Sequence, residues 1–162
     1  MSIVLIGRYN LSEILSGPEK FAKRLFENLM NQECKYEFIE YFFDGNNYSY
    51  VKKIFGHLII NDSHLYYKKM GFLYLLLYLI RTRPKLIHIL TFEKFIFIVL
   101  LYKLISKVKL VYTIHGIAKY ENAFPASVKK LKKIDLIKDA INEYLLFKIS
   151  DRLVFLSERS IE

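Results

Sequence analysis

The pattern of apolar and polar positions already divides the chain into alternating elements. Ser2–Ile6 (SIVLI) is an apolar run closed by Gly7, as expected of a strand buried on both faces of a parallel sheet. Next comes Ser16-Gly17-Pro18-Glu19, whose S-x-x-E spacing is that of a capping box, with proline in the first turn. Phe21, Ala22, Leu25, Phe26, Leu29 and Met30 then fall on one stripe of a 3.6-residue helix. Residues 36–43 (YEFIEYFF) alternate and are rich in aromatics, which predicts a strand, and 44–47 (DGNN) form a turn.

Residues 51–63 fit no single pattern, with a short strand possible at 57–60. Residues 66–83 are apolar nearly all round and predict one helix stopped by Pro84. Residues 85–90 (KLIHIL) predict a strand, and Thr91 is placed to N-cap a helix over 92–106. Lys109–Ile114 (KLVYTI) predicts another strand, ending at His115-Gly116, and 121–125 form a loop. A long helix is expected from Ser127, with Val128, Leu131, Ile134, Ile137, Ile141, Tyr144 and Leu145 at helical spacing. A last strand at 152–156 (RLVFL) completes the order. Alternation of this kind predicts an α/β fold, a single Rossmann-like, doubly wound, mainly parallel sheet.

Composition narrows the function. Hydrophobic residues make up 53% of 162, too many for intrinsic disorder and enough for one domain with a core. The single cysteine, Cys34, excludes an internal disulfide and a Cys-rich zinc site, and suggests a reducing, cytoplasmic setting. The N-terminus does not read as a signal peptide. The net charge of +9 is uneven: residues 51–110 hold eleven Lys/Arg against two Asp/Glu, +9 by themselves. The longest apolar runs lie in the same third. Basic and apolar together suggest an anionic membrane surface rather than a nucleic acid, although AT-biased coding would also raise Lys, Ile, Tyr and Phe. No run reaches the ~20 residues of a spanning helix, so the association would be peripheral, on the inner face. The cluster Lys68, Lys69, Arg81 and Arg83, interleaved with tyrosines, is the candidate membrane contact; a helix packed on the sheet with snorkelling basic ends is the alternative.

In open α/β sheets ligands bind beyond the carboxyl ends of the strands. That rule selects the segments after Ile6, around 44–47 and 91–93, at His115–Gly116 and at Ser157–Glu158. Ser16 and Gly17 open a helix whose N–H groups favour an anion, though the same four residues also read as a plain capped start. No G-x-G-x-x-G or P-loop occurs, nor any H-E-x-x-H, G-x-S-x-G or C-x-x-C, so nucleotide-fingerprint, hydrolase, zinc and thiol-redox readings lack support. His115, followed by a glycine, could bond a sugar hydroxyl or an oxyanion, or be a rim histidine without a role. His88 reads as a hydrogen-bonded core residue, and His57 and His64 as surface positions.

Four segments together resemble one family. Ser16-Gly17-Pro18-Glu19-Lys20 is similar to the Gly-Gly-x-Glu-Arg start of the first helix in family 4 glycosyltransferases. Pro84-Lys85-Leu86-Ile87-His88-Ile89 is similar to their "kPDiIHiH" strand, and Val111-Tyr112-Thr113-Ile114-His115-Gly116 to their "v-x-T-x-H-G/D" strand end. Residues 149–158 (ISDRLVFLSE) are similar to their "aDrvi-x-vSe". Ser16 stands where the family has its first glycine, and Lys85-Leu86 replaces Pro-Asp.

The resemblance implies the N-terminal, acceptor-side half of a GT-B enzyme that transfers a sugar, with retention, from a nucleotide sugar to a glycan or lipid-linked acceptor. It implies that Ser16, Gly17 and Gly116 lie near the donor and acceptor, that His115 faces the transferred sugar, and that Ser157 and Glu158 lie on the cleft rim. It implies no metal, and no cofactor beyond the nucleotide-sugar substrate. The C-terminal donor domain, with its E-x7-E motif, is expected in cis or on a separate chain, and residues 1–162 by themselves are expected to be inactive. A membrane- or partner-binding module without catalysis, or a gene fragment without function, are the alternatives.

Overall fold

The computed structural model describes residues 2–8, 17–30, 35–42, 49–62, 65–92, 96–115 and 133–156. Seven strands form one sheet: β1 (Ser2–Ile6), β2 (Lys35–Tyr41), β3 (His57–Asp62), β4 (Leu65–Met70), β5 (Leu86–Ile89), β6 (Lys109–Ile114) and β7 (Arg152–Phe155). Their order across the sheet is β3-β4-β2-β1-β5-β6-β7. All neighbours are parallel except β3 and β4, an antiparallel pair at one edge. The helices are α1 (Gly17–Met30), α2 (Tyr50–Phe55), α3 (Phe72–Thr82), α4 (Ile96–Ile105) and α5 (Lys133–Ile149). The fold is α/β, a mostly parallel sheet flanked by helices, and its strand order is compatible with a Rossmann-like fold.

Alternation along the strands builds a core on each face. Leu5, Phe38, Tyr67 and Leu90 face α1 and close over its Ala22 and Phe26. Val4, Ile6, Ile39, Met70, Ile87 and Ile89 face the other way, toward α3 and α4, with Leu146 of α5 in the same cluster. Burying a side chain of this size stabilises by about 1.5–3 kcal/mol, so both layers are held mainly by this packing.

The structure departs from the pattern-based expectations at 66–83 and at Thr91, and it settles what the pattern left open at 51–63 and along α5. The single helix expected over 66–83 is a strand, β4, followed by α3. Along β4, Tyr67 packs on the α1 side while Met70 packs on the other, so period 2 governs here. Gly71 marks the break, because a Cβ there would lie 2.6 Å from the Ile54 carbonyl atoms, where the end of α2 leans on the chain. The ambiguous stretch 51–63 resolves into α2, capped by the Ser49 hydroxyl accepting from the Lys52 N–H at 3.4 Å, and β3. Thr91 does not cap α4, which begins at Ile96; its hydroxyl accepts from the Arg8 N–H at 3.1 Å and ties β1 to β5. Finally, the stripe Ile137, Ile141, Tyr144 and Leu145 of α5 faces outward, while Glu143 and Leu146 are buried. The expected start of that helix at Ser127 lies outside the described residues.

Candidate functional site

The carboxyl edge of the sheet is assembled around β1. The Gly7 N–H donates to the Ile39 carbonyl at 3.1 Å, and the Leu90 N–H to the Ile6 carbonyl at 2.8 Å. Gly7 therefore lies between the ends of β2 and β5, and a Cβ on it would sit 3.1 Å from that of Leu90 and 3.5 Å from the Thr91 hydroxyl. Only a residue without a side chain leaves that approach open. In open α/β sheets the crevice beyond the carboxyl ends of the strands is the usual ligand position, and Gly7 lies at that edge.

His115 closes the crevice from β6. Its Nε2 lies 2.6 Å from the Leu90 carbonyl oxygen, so Nε2 carries the hydrogen and donates it. In the neutral ring Nδ1 is then the nitrogen that accepts. The edge of the ring meets Phe21 of α1, with centroids 5.3 Å apart. A strand end, a neighbouring strand's carbonyl and the first helix thus fix one imidazole, as a group meant to hold a direction must be fixed. The sequence placed His115 at this rim, and the structure adds Leu90 and Phe21 as residues that set it.

Below the rim, His88 Nε2 and the Thr113 hydroxyl lie 2.8 Å apart, joining β5 to β6. Burial pushes the His88 imidazole down to about 4, so it is neutral near pH 7. It is the hydrogen-bonded histidine expected from the sequence. On the same face, Glu40 of β2 and Lys69 of β4 form an ion pair at 3.0 Å, with the Glu40 side chain 1% exposed. Lys69 also lies 5.9 Å from the Tyr67 ring centroid.

The second lysine of that cluster is held on the opposite face. Lys68 lies 3.5 Å from Glu37 and donates to the Tyr78 hydroxyl at 3.0 Å, and Tyr78 donates to Glu37. Arg81 and Arg83, by contrast, are exposed. The structure therefore separates the four candidate membrane contacts into an inward and an outward pair. Gly17 is the first residue of α1. Ser16, Gly116, Ser157 and Glu158 lie outside the described residues, as do Cys34 and His64. His57 is exposed and stacks on Tyr74, centroids 4.6 Å apart.

Asp151, just before β7, has a defined structural task. Its carboxylate accepts from Lys103 Nζ at 2.6 Å and from the Leu110 N–H at 2.7 Å, and Lys109 Nζ lies 3.5 Å away. The Lys103 bond first, and then the Leu110 N–H, hold its carboxyl down at about 2. Its position directly before an apolar strand is the signal that could have identified it.

Among the described residues, no group of three or more His, Cys, Asp or Glu is placed to hold a metal ion, and no helix is long and apolar enough to cross a membrane. Neither the known family models nor the curated proteins include a match to this chain.

Proposed function

We infer that the chain is the acceptor-side domain of a retaining, nucleotide-sugar-dependent glycosyltransferase of the GT-B type, completed by a donor-binding domain in cis or on another chain. One observation carries the reading. The ends of β1, β5 and β6 bring Gly7, Thr91 and His115 together, with His115 fixed by the Leu90 carbonyl and Phe21. In this reading the doubly wound sheet is the N-terminal half of the cleft. The transferred sugar lies over the carboxyl end of β1, beside the imidazole of His115. The start of α1 at Gly17 faces the donor diphosphate, which suits a helix N-terminus. The residues expected to finish the site, Ser16, Gly116, Ser157 and Glu158, come from the family resemblance.

The test begins with the nucleotide sequence adjoining the Glu162 codon, which should encode a second α/β domain carrying E-x7-E. Produced with that domain, the protein should transfer sugar from a nucleotide donor to a glycan or lipid-linked acceptor, whereas residues 1–162 by themselves should not. His115→Ala should lower kcat by about 100-fold or more, as expected when a positioned polar group is removed from a transition state. The lost Leu90 and Phe21 contacts should lower the urea midpoint only modestly and leave the protein folded at assay conditions. Absence of such a domain, or wild-type turnover by the His115→Ala protein, would overturn the assignment. A second reading, a surface-docking module without chemistry, is favoured by a separate observation, the outward apolar face of the helical layer.

A further inference from the structure

The helices α3, α4 and α5 are apolar on the side that faces the sheet and again on the side that faces away. On α4, Phe97, Leu101, Leu104 and Ile105 are exposed at helical spacing, Leu104 by 72% and Ile105 by 65%. On α5, Ile137, Ile141 and Tyr144 are exposed with the same period, and Leu77 and Ile80 extend the surface on α3. The helices pack side by side, α3 on α4 and α4 on α5, so the stripes adjoin. Contiguous apolar surface of this extent marks an interaction face.

Charge identifies the partner. α3 and α4 contain no Asp or Glu, and of their basic residues Arg81 is exposed while Lys103 is paired with Asp151. α5 carries Asp135, Asp139 and the buried Glu143 against Lys133, Lys138 and Lys148, so the excess positive charge lies at the border of α3 and α4. At the amino-terminal edge of the sheet, Arg83, Lys85, Lys107 and Lys109 line a hollow of about 660 Å³ together with Ile80 and Ile105. Cations bordering an apolar field complement an anionic bilayer, whose headgroups meet the rim while the stripes enter the acyl boundary. A second copy of the chain would offer the same positive rim to itself.

We propose that the outer face of α3–α5, with the Arg83–Lys85–Lys107 rim, docks the protein on an anionic lipid bilayer. This surface is distinct from the crevice at Gly7 and His115, and its test does not depend on sugar transfer. Lys68 and Lys69 take no part, because their charges are matched by Glu37 and Glu40.

The purified chain should co-sediment with vesicles of two parts phosphatidylcholine to one part phosphatidylglycerol, and remain in solution with phosphatidylcholine alone. Lys85→Glu with Lys107→Glu should weaken binding by about 25-fold or more, since each basic residue near an anionic surface contributes about fivefold. Leu104→Ser with Ile105→Ser should weaken it by at least about tenfold through lost apolar burial. Circular dichroism should report wild-type fold for both variants, as all four side chains are exposed. Failure to sediment with the anionic vesicles, equal binding to both vesicle types, or unchanged binding by the variants would overturn the proposal. So would a dimer in sedimentation equilibrium that the Leu104→Ser/Ile105→Ser protein fails to form, because the face would then belong to a second copy.

Discussion

The two faces of the sheet are covered in opposite ways. On one, α1 places Ala22 and Phe26 inward and leaves Lys20, Arg24 and Asn28 in water. On the other, α3, α4 and α5 bury Leu75, Leu79, Val99 and Leu146, yet still present leucine and isoleucine outward. Covering a sheet requires only one apolar stripe per helix. α1 meets that requirement and stops. The second layer exceeds it, so its outer residues answer to something besides the core, and a bilayer would accept both their apolar character and the cations around them.

The contrast can be broken by substitution. The largest effect should come from Phe26→Ala on the inner side of α1, which removes a ring packed at a tilt against Phe38 and should cost about 3–5 kcal/mol in urea denaturation. A cost below about 1 kcal/mol would mean that α1 is not the load on that face.

A smaller, pH-dependent effect belongs to His88. Its folded value, about 4, lies below the unfolded value of 6.5, so the unfolded chain takes up the proton first as pH falls. Its contribution is therefore complete above about 6.5 and is lost as pH falls toward 4, roughly 2–3 kcal/mol over that window. Urea midpoints at pH 7 and pH 4.5 should show the loss in the wild type, and His88→Gln should flatten it. Equal slopes for the two proteins would remove His88 as the cause. The smallest effect should be that of Leu104→Ser, within about 0.5 kcal/mol in solution; a loss of several kcal/mol would place Leu104 in the core instead of on an outward face.

Much of the sheet was legible because buried parallel strands are short apolar runs: β1 and β6 are found at the expected residues, and β2, β5 and β7 within one or two of them. The stretch 66–83 was not, because a strand and a buried helix share the same continuous apolar composition, and the deciding contact of Gly71 with Ile54 is tertiary. The facing of α5 was equally hidden. Periodicity identifies a stripe but not what the stripe faces, and here a charged residue, Glu143, is inside while Ile137 and Ile141 are outside. For the candidate site, His115 was visible from its position after an apolar strand. Its partners were not, since the Leu90 carbonyl is main chain and Phe21 lies far away in sequence.

Asp151 also bears on how the molecule assembles. Every bond that its carboxylate makes reaches back 41 to 48 residues, to Lys103, Lys109 and Leu110. All of these bonds need α4 and the start of β6 beside them, so they fasten β7 to the edge that β6 would otherwise present. Without β7 in place, β6 is an open border with unpaired main-chain groups, a template on which another chain could grow. The carboxylate closes that border by occupying the Leu110 N–H itself, and a protein with Asp151 replaced would spend longer as a nucleus for strand-to-strand aggregation during folding.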